Sequence, residues 1–187
     1  MGNALQNIGA FFLDIIETIV VALAIFVVIY LFFVQPHQVR GASMESNFHD
    51  GEYIMTDKIS YRFGDPKRGQ VIIFKAPRNP ELDFIKRVIG LPGERIKVQN
   101  GKVYLNGALL NETYLDSTVT TLPGSFAREG QDVLVPAGQY LVFGDNRPHS
   151  SDSREWGYIT KDEIIGRAFF RYWPPKKVGL IPTGKYE

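Results

Sequence analysis

From Thr18 to Val34 the chain reads TIVVALAIFVVIYLFFV, seventeen residues without a charge. Ile15 and Ile16 lengthen the run, with Glu17 near one end. An α-helix of roughly 20 apolar residues crosses the hydrocarbon core of a bilayer, so this run constrains the chain more than any other feature. A helix satisfies its backbone polar groups internally, as lipid demands, and nothing polar in the run could anchor a loop there. Leu5, Ile8, Phe11, Phe12 and Leu13 allow the helix to begin earlier, along the interface, and Pro36 is expected to stop it. The alternatives are a buried core helix and a cleaved secretion signal. A signal calls for a basic start, a shorter apolar run and a small-x-small exit. Here no basic residue precedes the run, which leaves through Phe33-Val34-Gln35-Pro36. Residues 1–35 therefore read as a retained membrane anchor.

Charge divides the chain at the same place. No Lys or Arg occurs before residue 35, and Asp14 and Glu17 are the only acids there, so the front carries −2 and the remainder 21 − 18 = +3. A net charge of +1 offers no bulk electrostatic case for nucleic acid. The absence of cysteine excludes disulfides, thiolate catalysis and thiolate-ligated metals, and three histidines argue against a histidine-rich site. No metal and no cofactor are expected. Arg40 follows the apolar run and nothing basic precedes it, a one-residue vote for the larger part on the inside.

Residues 36–187 read as sheet. Short apolar or alternating runs recur at Glu52–Met55, Val71–Phe74, Phe84–Ile89, Ile96–Val98, Val103–Leu105, Tyr140–Phe143 and Ala168–Tyr172. Turn signals separate them, including Gly64-Asp65-Pro66, Pro92-Gly93, Asn100-Gly101, Asn106-Gly107 and Pro136-Ala137-Gly138. Asn-Gly pairs favour type I′ hairpin turns, so Gly101 and Gly107 bracket a small hairpin around Lys102–Leu105. No long window keeps a helical period after residue 36, although Thr160–Ile165 could form one turn. The expectation is a mainly β chain: one N-terminal transmembrane helix, then an all-β domain with a small inserted subdomain at about residues 97–137. Within that insertion, residues 111–130 are polar and turn-rich.

Three places could carry chemistry. Ser43 sits in Gly41-Ala42-Ser43-Met44, where small neighbours let another chain approach the hydroxyl; it reads equally as a solvated turn serine. The run Asp83-Phe84-Ile85-Lys86-Arg87-Val88-Ile89 is strand-like. Successive side chains alternate, which puts Lys86 with Phe84 and Val88, and Arg87 with Ile85 and Ile89. Both faces are apolar, so at least one cation lies among hydrophobic groups and must pair or lose its proton. Arginine stays charged, whereas lysine can become neutral and serve as a general base toward a hydroxyl. An exposed lysine is neutral only about once in 2,500 at pH 7, and an apolar pocket raises that share. The competing reading is a strand lysine that snorkels to solvent. The third place is Gly144–Arg154, a segment dense in hydrogen-bonding groups that includes Asp145, Asn146, Arg147, Ser150, Asp152 and Arg154. It reads as a built polar network or as a locally capped turn with a surface ion pair.

Taken in order, these segments resemble the bacterial type I signal peptidases, the membrane-bound serine–lysine proteases that remove signal peptides. The resemblance runs from the apolar span through Gly41-Ala42-Ser43-Met44 and Arg68-Gly69-Gln70-Val71-Ile72-Ile73-Phe74. It continues through Lys86-Arg87-Val88-Ile89-Gly90-Leu91-Pro92-Gly93-Glu94 to the Gly144–Arg154 segment. It implies that Ser43 is the nucleophile, with its backbone N–H in the oxyanion hole. Lys86 is then the general base and Ser150 the serine that orients it. Arg87 and Asp145 match a structural ion pair, and Asp152 and Arg154 scaffold residues near the lysine, with Asn146 and Arg147 in the same support. Some relatives carry a serine where this chain has Gly41. The family usually shows Ser-Met-x-Pro-Thr at the nucleophile, whereas this chain has Ser43-Met44-Glu45-Ser46-Asn47.

The same resemblance implies preprotein signal peptides as substrates, entering extended beside Gln38, Val39, Gly41 and Ala42 and beside Asp83, Phe84 and Ile85. Alanine-like residues would be favoured at the cut and two before it. It places the β domain on the extracytoplasmic face of the plasma membrane, against the vote of Arg40. Contact with the lipid bilayer and a monomeric state are expected, with Trp156, Trp173, Phe48 and Phe63 as aromatics that either touch lipid or fill the core. A Ser-His-Asp triad would need His37, His49 or His149, none of which has an independent signal. The rival class is a single-span anchor carrying a non-catalytic β domain that binds a partner. Only catalysis requires Ser43, Lys86 and Ser150 to converge.

Overall fold

The computed structural model describes residues 2–186. Helix α1 runs from Gly2 to Phe32, and its stretch Gly9–Tyr30 is 22 residues long, apolar and not buried against any other part of the protein. At about 1.5 Å per residue those 22 residues span roughly 33 Å, enough to cross a hydrocarbon core of about 30 Å. The helix stops before Pro36, and the chain turns at Phe33 into strand β1, Val34–Gln38. Pro36 lies within this strand rather than at the helix end. It is tolerated because β1 pairs only with one neighbour, so a missing N–H costs no ladder bond on the free side. The Phe33 carbonyl accepts the Lys58 N–H at 3.0 Å, which ties the helix exit to the start of the domain.

Among the described residues, eleven further strands and two short helices follow β1. They are β2 (Tyr53–Asp57), helix α2 (Ser60–Phe63), β3 (Val71–Ala76), β4 (Asn79–Gly90), β5 (Arg95–Gln99), β6 (Lys102–Leu105) and β7 (Ala108–Leu109). Then come β8 (Asp132–Leu134), β9 (Gln139–Phe143), helix α3 (Ser153–Trp156), β10 (Ile159–Thr160), β11 (Ile164–Trp173) and β12 (Gly179–Leu180). Each apolar run singled out in the sequence lies on a strand, except that Glu52 stands one residue before β2. The turn foreseen at Thr160–Ile165 is a single 3-10 turn at Lys161–Glu163, closed by a capping box between Thr160 and Glu163.

The strands form two sheets. The larger has the order β1-β2-β11-β3-β4-β9-β10, with β12 on β11; the smaller has the order β7-β6-β5-β8. The smaller sheet is built from local hairpins. Asn100 and Gly101 link β5 to β6, Asn106 and Gly107 link β6 to β7, and all four have φ between 49° and 88°. Positive φ at both central residues is the type I′ condition, which the Asn-Gly pairs meet at little cost.

Alternation divides the core by face. On β3, Val71 and Ile73 enter a cluster with Val39, Met44, Phe48, Ile54 and Ile85, while Ile72 and Phe74 enter another with Tyr61, Val88, Tyr140 and Val142. A third cluster, with Ile89, Ile96, Val98, Val103, Leu141 and Phe143, joins the two sheets. Phe48 is buried and Trp156 packs against the second cluster, whereas Phe63 and Trp173 are 88% and 51% exposed. The four aromatics thus divide evenly between core and surface.

The larger sheet curls until its edge strand β1 faces β4. The side chains of His37 on β1 and Asp83 on β4 lie 3.5 Å apart although three strands separate them in the sheet. Strand β4 pairs with β3 along most of its length but with β9 only from Arg87 onward. Its edge at Asp83–Lys86 is therefore open toward β1 and the segment that follows it.

Candidate active site

Lys86 is set by the register of β4. It lies opposite Ile72 of β3, one position before β9 joins the sheet. Its side chain runs along the Phe84 ring, with Nζ 5.3 Å from the centroid, and only 3% of the residue is exposed. Nζ donates to the Ser43 hydroxyl at 2.7 Å and to the Ile85 carbonyl at 2.9 Å. No carboxylate touches it among the described residues. Burial depresses the Lys86 pKa; Asp152 and Asp145 pull it back in part, and the balance is pushed down to about 8. At that value roughly one amine in ten is neutral at pH 7, against about one in 2,500 in water.

Ser43 belongs to the turn Gly41–Phe48, which is pinned at several points. Gly41 has φ +81°, a region glycine enters freely, and its N–H donates to Asp50 at 2.7 Å. Met44 and Phe48 anchor the turn in the core. The Ser43 carbonyl accepts the Asn146 N–H at 3.1 Å, and Asn146 Nδ2 donates to the Ala42 carbonyl at 2.9 Å. Gly144 permits this approach: a Cβ there would lie 2.4 Å from the Ser43 carbonyl oxygen. The Ser43 hydroxyl is thereby fixed against Lys86 by backbone contacts to the segment that follows β9.

Arg87, one residue along, meets a different environment. Its Nε and Nη2 donate to Asp145 at 2.8 and 2.6 Å, and its Nη1 donates to the Gly69 carbonyl at 2.7 Å. Burial alone would lower its pKa; the hydrogen bonds and charge of Asp145 more than offset that, so it stays charged. Asp145 also accepts from Asn47 Nδ2 at 2.9 Å, and the same amide donates to the Tyr114 carbonyl at 3.0 Å. Asn47 is thus tied into the ion pair.

The remaining support is a buried network. Arg154 makes a bidentate pair with Asp152 at 2.8 and 2.7 Å, and Asp152 also accepts the Gly144 N–H at 2.9 Å and caps α3. Arg147 is fully buried and paired with Glu112 of the long loop after β7, with Thr121 as a further acceptor at 2.8 Å. Sequence reasoning missed Glu112, Tyr114 and Thr121. A buried Arg147 requires an acid, but nothing local says which one.

A cavity of about 240 Å³ opens beside the serine–lysine contact. Of the residues expected to receive substrate, Gln38, Val39, Asp83, Phe84 and Ile85 line it, together with Ser43 and Lys86; Gly41 and Ala42 do not. His37, Ile54, Ile73 and Ser151 also line it, and the sequence did not flag them. Ser150 departs from expectation. Its hydroxyl is buried beside Gly144 and has no hydrogen-bond partner among the described residues, so the expected bond to Lys86 is not made. Lys86 spends its second bond on its own strand instead. Among the described residues no group of three or more histidines and carboxylates could hold a metal.

Sequence comparison with known proteins is consistent over most of the chain. The family model described as "Signal peptidase, peptidase S26" matches residues 12–173. The chain is 38% identical over 174 residues to "Probable signal peptidase I-2" of Synechocystis sp., covering 90% of this chain and 77% of that one. It is 36% identical over 173 residues to "Signal peptidase IB" of Staphylococcus aureus, covering 87% of this chain and 90% of that one. A solved signal peptidase I from Enterococcus faecalis, 32% identical, overlaps 56% of this chain and 97% of its own at a TM-score of 0.45.

Proposed function

Because the chain belongs to the signal peptidase family of serine peptidases, we propose that Ser43 and Lys86 form its catalytic pair and cleave signal peptides from preproteins at the membrane surface. The observation that carries the assignment is the 2.7 Å contact between a buried lysine amine and a serine hydroxyl at the wall of a cavity. An anchored β domain that only binds a partner has no need of that contact.

In the reactive state Lys86 is neutral. The hydrogen bond then reverses, with the Ser43 O–H donating to the Nζ lone pair. As Ser43 Oγ attacks the scissile carbonyl, the proton passes to Nζ. The tetrahedral oxyanion forms near the Ser43 N–H. Collapse releases the amine of the mature protein, which takes the proton from Lys86. Water then attacks the acyl-enzyme, with Lys86 again as base, and frees Ser43. Asp145, Asn146 and Asp152 act at one remove, fixing the Ser43 turn and the end of β9. Ser150 lies close to the site, and its orienting role is part of this proposal.

Substrate geometry follows from the open edges. An extended segment fits between the free edge of β4 at Asp83–Ile85 and the chain after β1 at Gln38–Ala42, where its backbone can add to the sheet. Ser43 is eleven residues beyond Phe32, the last residue of α1, so it lies at most roughly 36–40 Å from the helix exit. The nucleophile is tethered near the bilayer surface, where a membrane-borne signal peptide presents its cleavage site. The β domain then stands outside the cytoplasm as a monomer and touches lipid through Phe63 near the helix exit.

The test is preprotein processing by the purified chain in detergent. Ser43→Ala and Lys86→Met should each abolish cleavage. Wild-type turnover in either variant would refute its role.

A further inference from the structure

Helix α1 leaves one face open along its length. Asp14, Glu17, Thr18, Val21, Ala22 and Ile25 recur at spacings of three and four, so they share that face, and they line a shallow groove on it. All six are exposed, and among the described residues nothing of the β domain covers them.

The groove is graded from end to end. Thr18 and Ala22 are small enough to let another helix approach closely, and Val21 and Ile25 make the surface beside them apolar. The acids lie at the end remote from the domain. At about 1.5 Å per residue, Glu17 and Asp14 stand roughly 22 and 27 Å below Phe32, near the far boundary of a hydrocarbon core of about 30 Å. Neither carboxylate has a hydrogen bond or ion pair among the described residues; the Thr18 hydroxyl donates to the Asp14 backbone carbonyl instead. With no Lys or Arg before residue 35, the helix has no cation to give them. Acids contribute little to membrane orientation, so topology does not account for them. In the orientation proposed above they face the cytoplasmic leaflet, whose negative surface potential attracts basic residues and repels acidic ones.

A signal peptide carries the complementary pattern, a basic start followed by about 7–15 apolar residues. Its cut end reaches Ser43 outside while its start stays inside, so it lies parallel to α1. An apolar run of about 12–15 residues alongside residues 21–32 puts the basic start level with Glu17 and Asp14. A second copy of this chain in the same parallel arrangement would set acid against acid, which the groove rejects.

We propose that this face of α1 docks the apolar helix of the signal peptide, with Asp14 and Glu17 paired to its basic start. The anchor is then a recognition element as well as a tether, gathering substrate in the plane of the bilayer before the β domain takes the cleavage site.

The inference rests on the proposed peptidase function and orientation, and the experiment separates it from them. The full-length chain in phosphatidylcholine nanodiscs, which bear no net lipid charge, is given one preprotein in two forms, with two lysines or two glutamines ahead of the apolar run. KM and kcat are read for each. The lysine form should show a KM about fivefold lower, the scale of two interfacial ion pairs, at equal kcat. That difference should vanish in the double variant Asp14→Asn, Glu17→Gln. In Asp14→Lys, Glu17→Lys it should reverse, toward a preprotein with two glutamates in that place. A short peptide that spans the cut but lacks the basic start and the apolar run should be cleaved equally by all three enzymes. Equal KM for the two preproteins in wild type, a lysine preference that the Asn/Gln variant keeps, or unequal cleavage of the short peptide would overturn the docking face while leaving the peptidase standing. A dimer that the charge variants dissolve without any change in KM would give the face to a second copy and overturn it equally. Failure of wild type to cut preprotein and peptide alike would sink both.

Discussion

Lys86 and Arg87 are neighbours on one strand, both cations and both 3% exposed, yet their surroundings differ in kind. Arg87 is gripped by Asp145 through two hydrogen bonds, and its charge is permanent. Lys86 touches a hydroxyl, a carbonyl and an aromatic ring but, among the described residues, no carboxylate. The same degree of burial therefore yields two outcomes. With a carboxylate in contact, a buried cation becomes a fixed structural charge; without one, a lysine becomes a titratable amine. The difference depends on which side of β4 each residue takes, and that is settled by alternation alone.

The largest break in this comparison is Lys86→Arg. It keeps a cation in place but removes the possibility of a neutral form. Preprotein cleavage should fall by a factor of about 1,000 or more, the scale seen when a catalytic base is lost, and initial-rate assays would detect it. Asp145→Ala attacks the other side. It leaves Arg87 buried and unpaired and should cost about 3–5 kcal/mol in denaturant unfolding. The loss of activity would then follow the loss of folded protein.

Lys86→Met sharpens the contrast from the stability side. The Lys86 pKa is depressed on folding, so the unfolded chain binds more protons, and stability rises with pH between about 8 and the ordinary lysine value. Below that window the wild type bears the full penalty. The methionine variant should be more stable at pH 7 by a margin on the order of 3 kcal/mol, less the cost of the two lost hydrogen bonds. That margin should vanish above about pH 10.5. Parallel urea titrations at the two pH values measure it. Asn47→Ala is the smallest change. It removes the amide that bridges Asp145 and the Tyr114 carbonyl and should cost about 1–2 kcal/mol, with kcat nearly unchanged in the folded fraction.

Much of the sheet was legible because its strands are long enough to show a period. The Asn-Gly hairpins of the small sheet were legible because positive φ has a residue signature. The strands that escaped, β7, β8, β10 and β12, have two or three residues, too few to alternate detectably. β1 escaped because Pro36 reads as a breaker until the free edge is known. At the site, Lys86 and Arg87 announced themselves as cations in an apolar strand, and the family motifs supplied Ser43 and Asp145. The partners that came from afar did not announce themselves. Glu112 meets Arg147 across 35 residues, and Thr56 meets His37 across the β1–β2 pairing. Such contacts depend on which strands pair and where a long loop settles, which no local pattern records. Ser150 shows the opposite case, a residue whose position in the motif was clear but whose hydroxyl makes no hydrogen bond among the described residues.

The central claim is that burial without a carboxylate makes Lys86 a base near neutral pH. Its most direct test is the ionisation of that one amine, followed by NMR on the detergent-solubilised chain with isotope-labelled lysine and assigned through Lys86→Met. The Lys86 signal should titrate near pH 8, in step with the rise of kcat/KM, which climbs about tenfold per pH unit below that point and then levels. A Lys86 signal that titrates near 10.5 with the exposed lysines, while cleavage proceeds at full rate at pH 8, would contradict it.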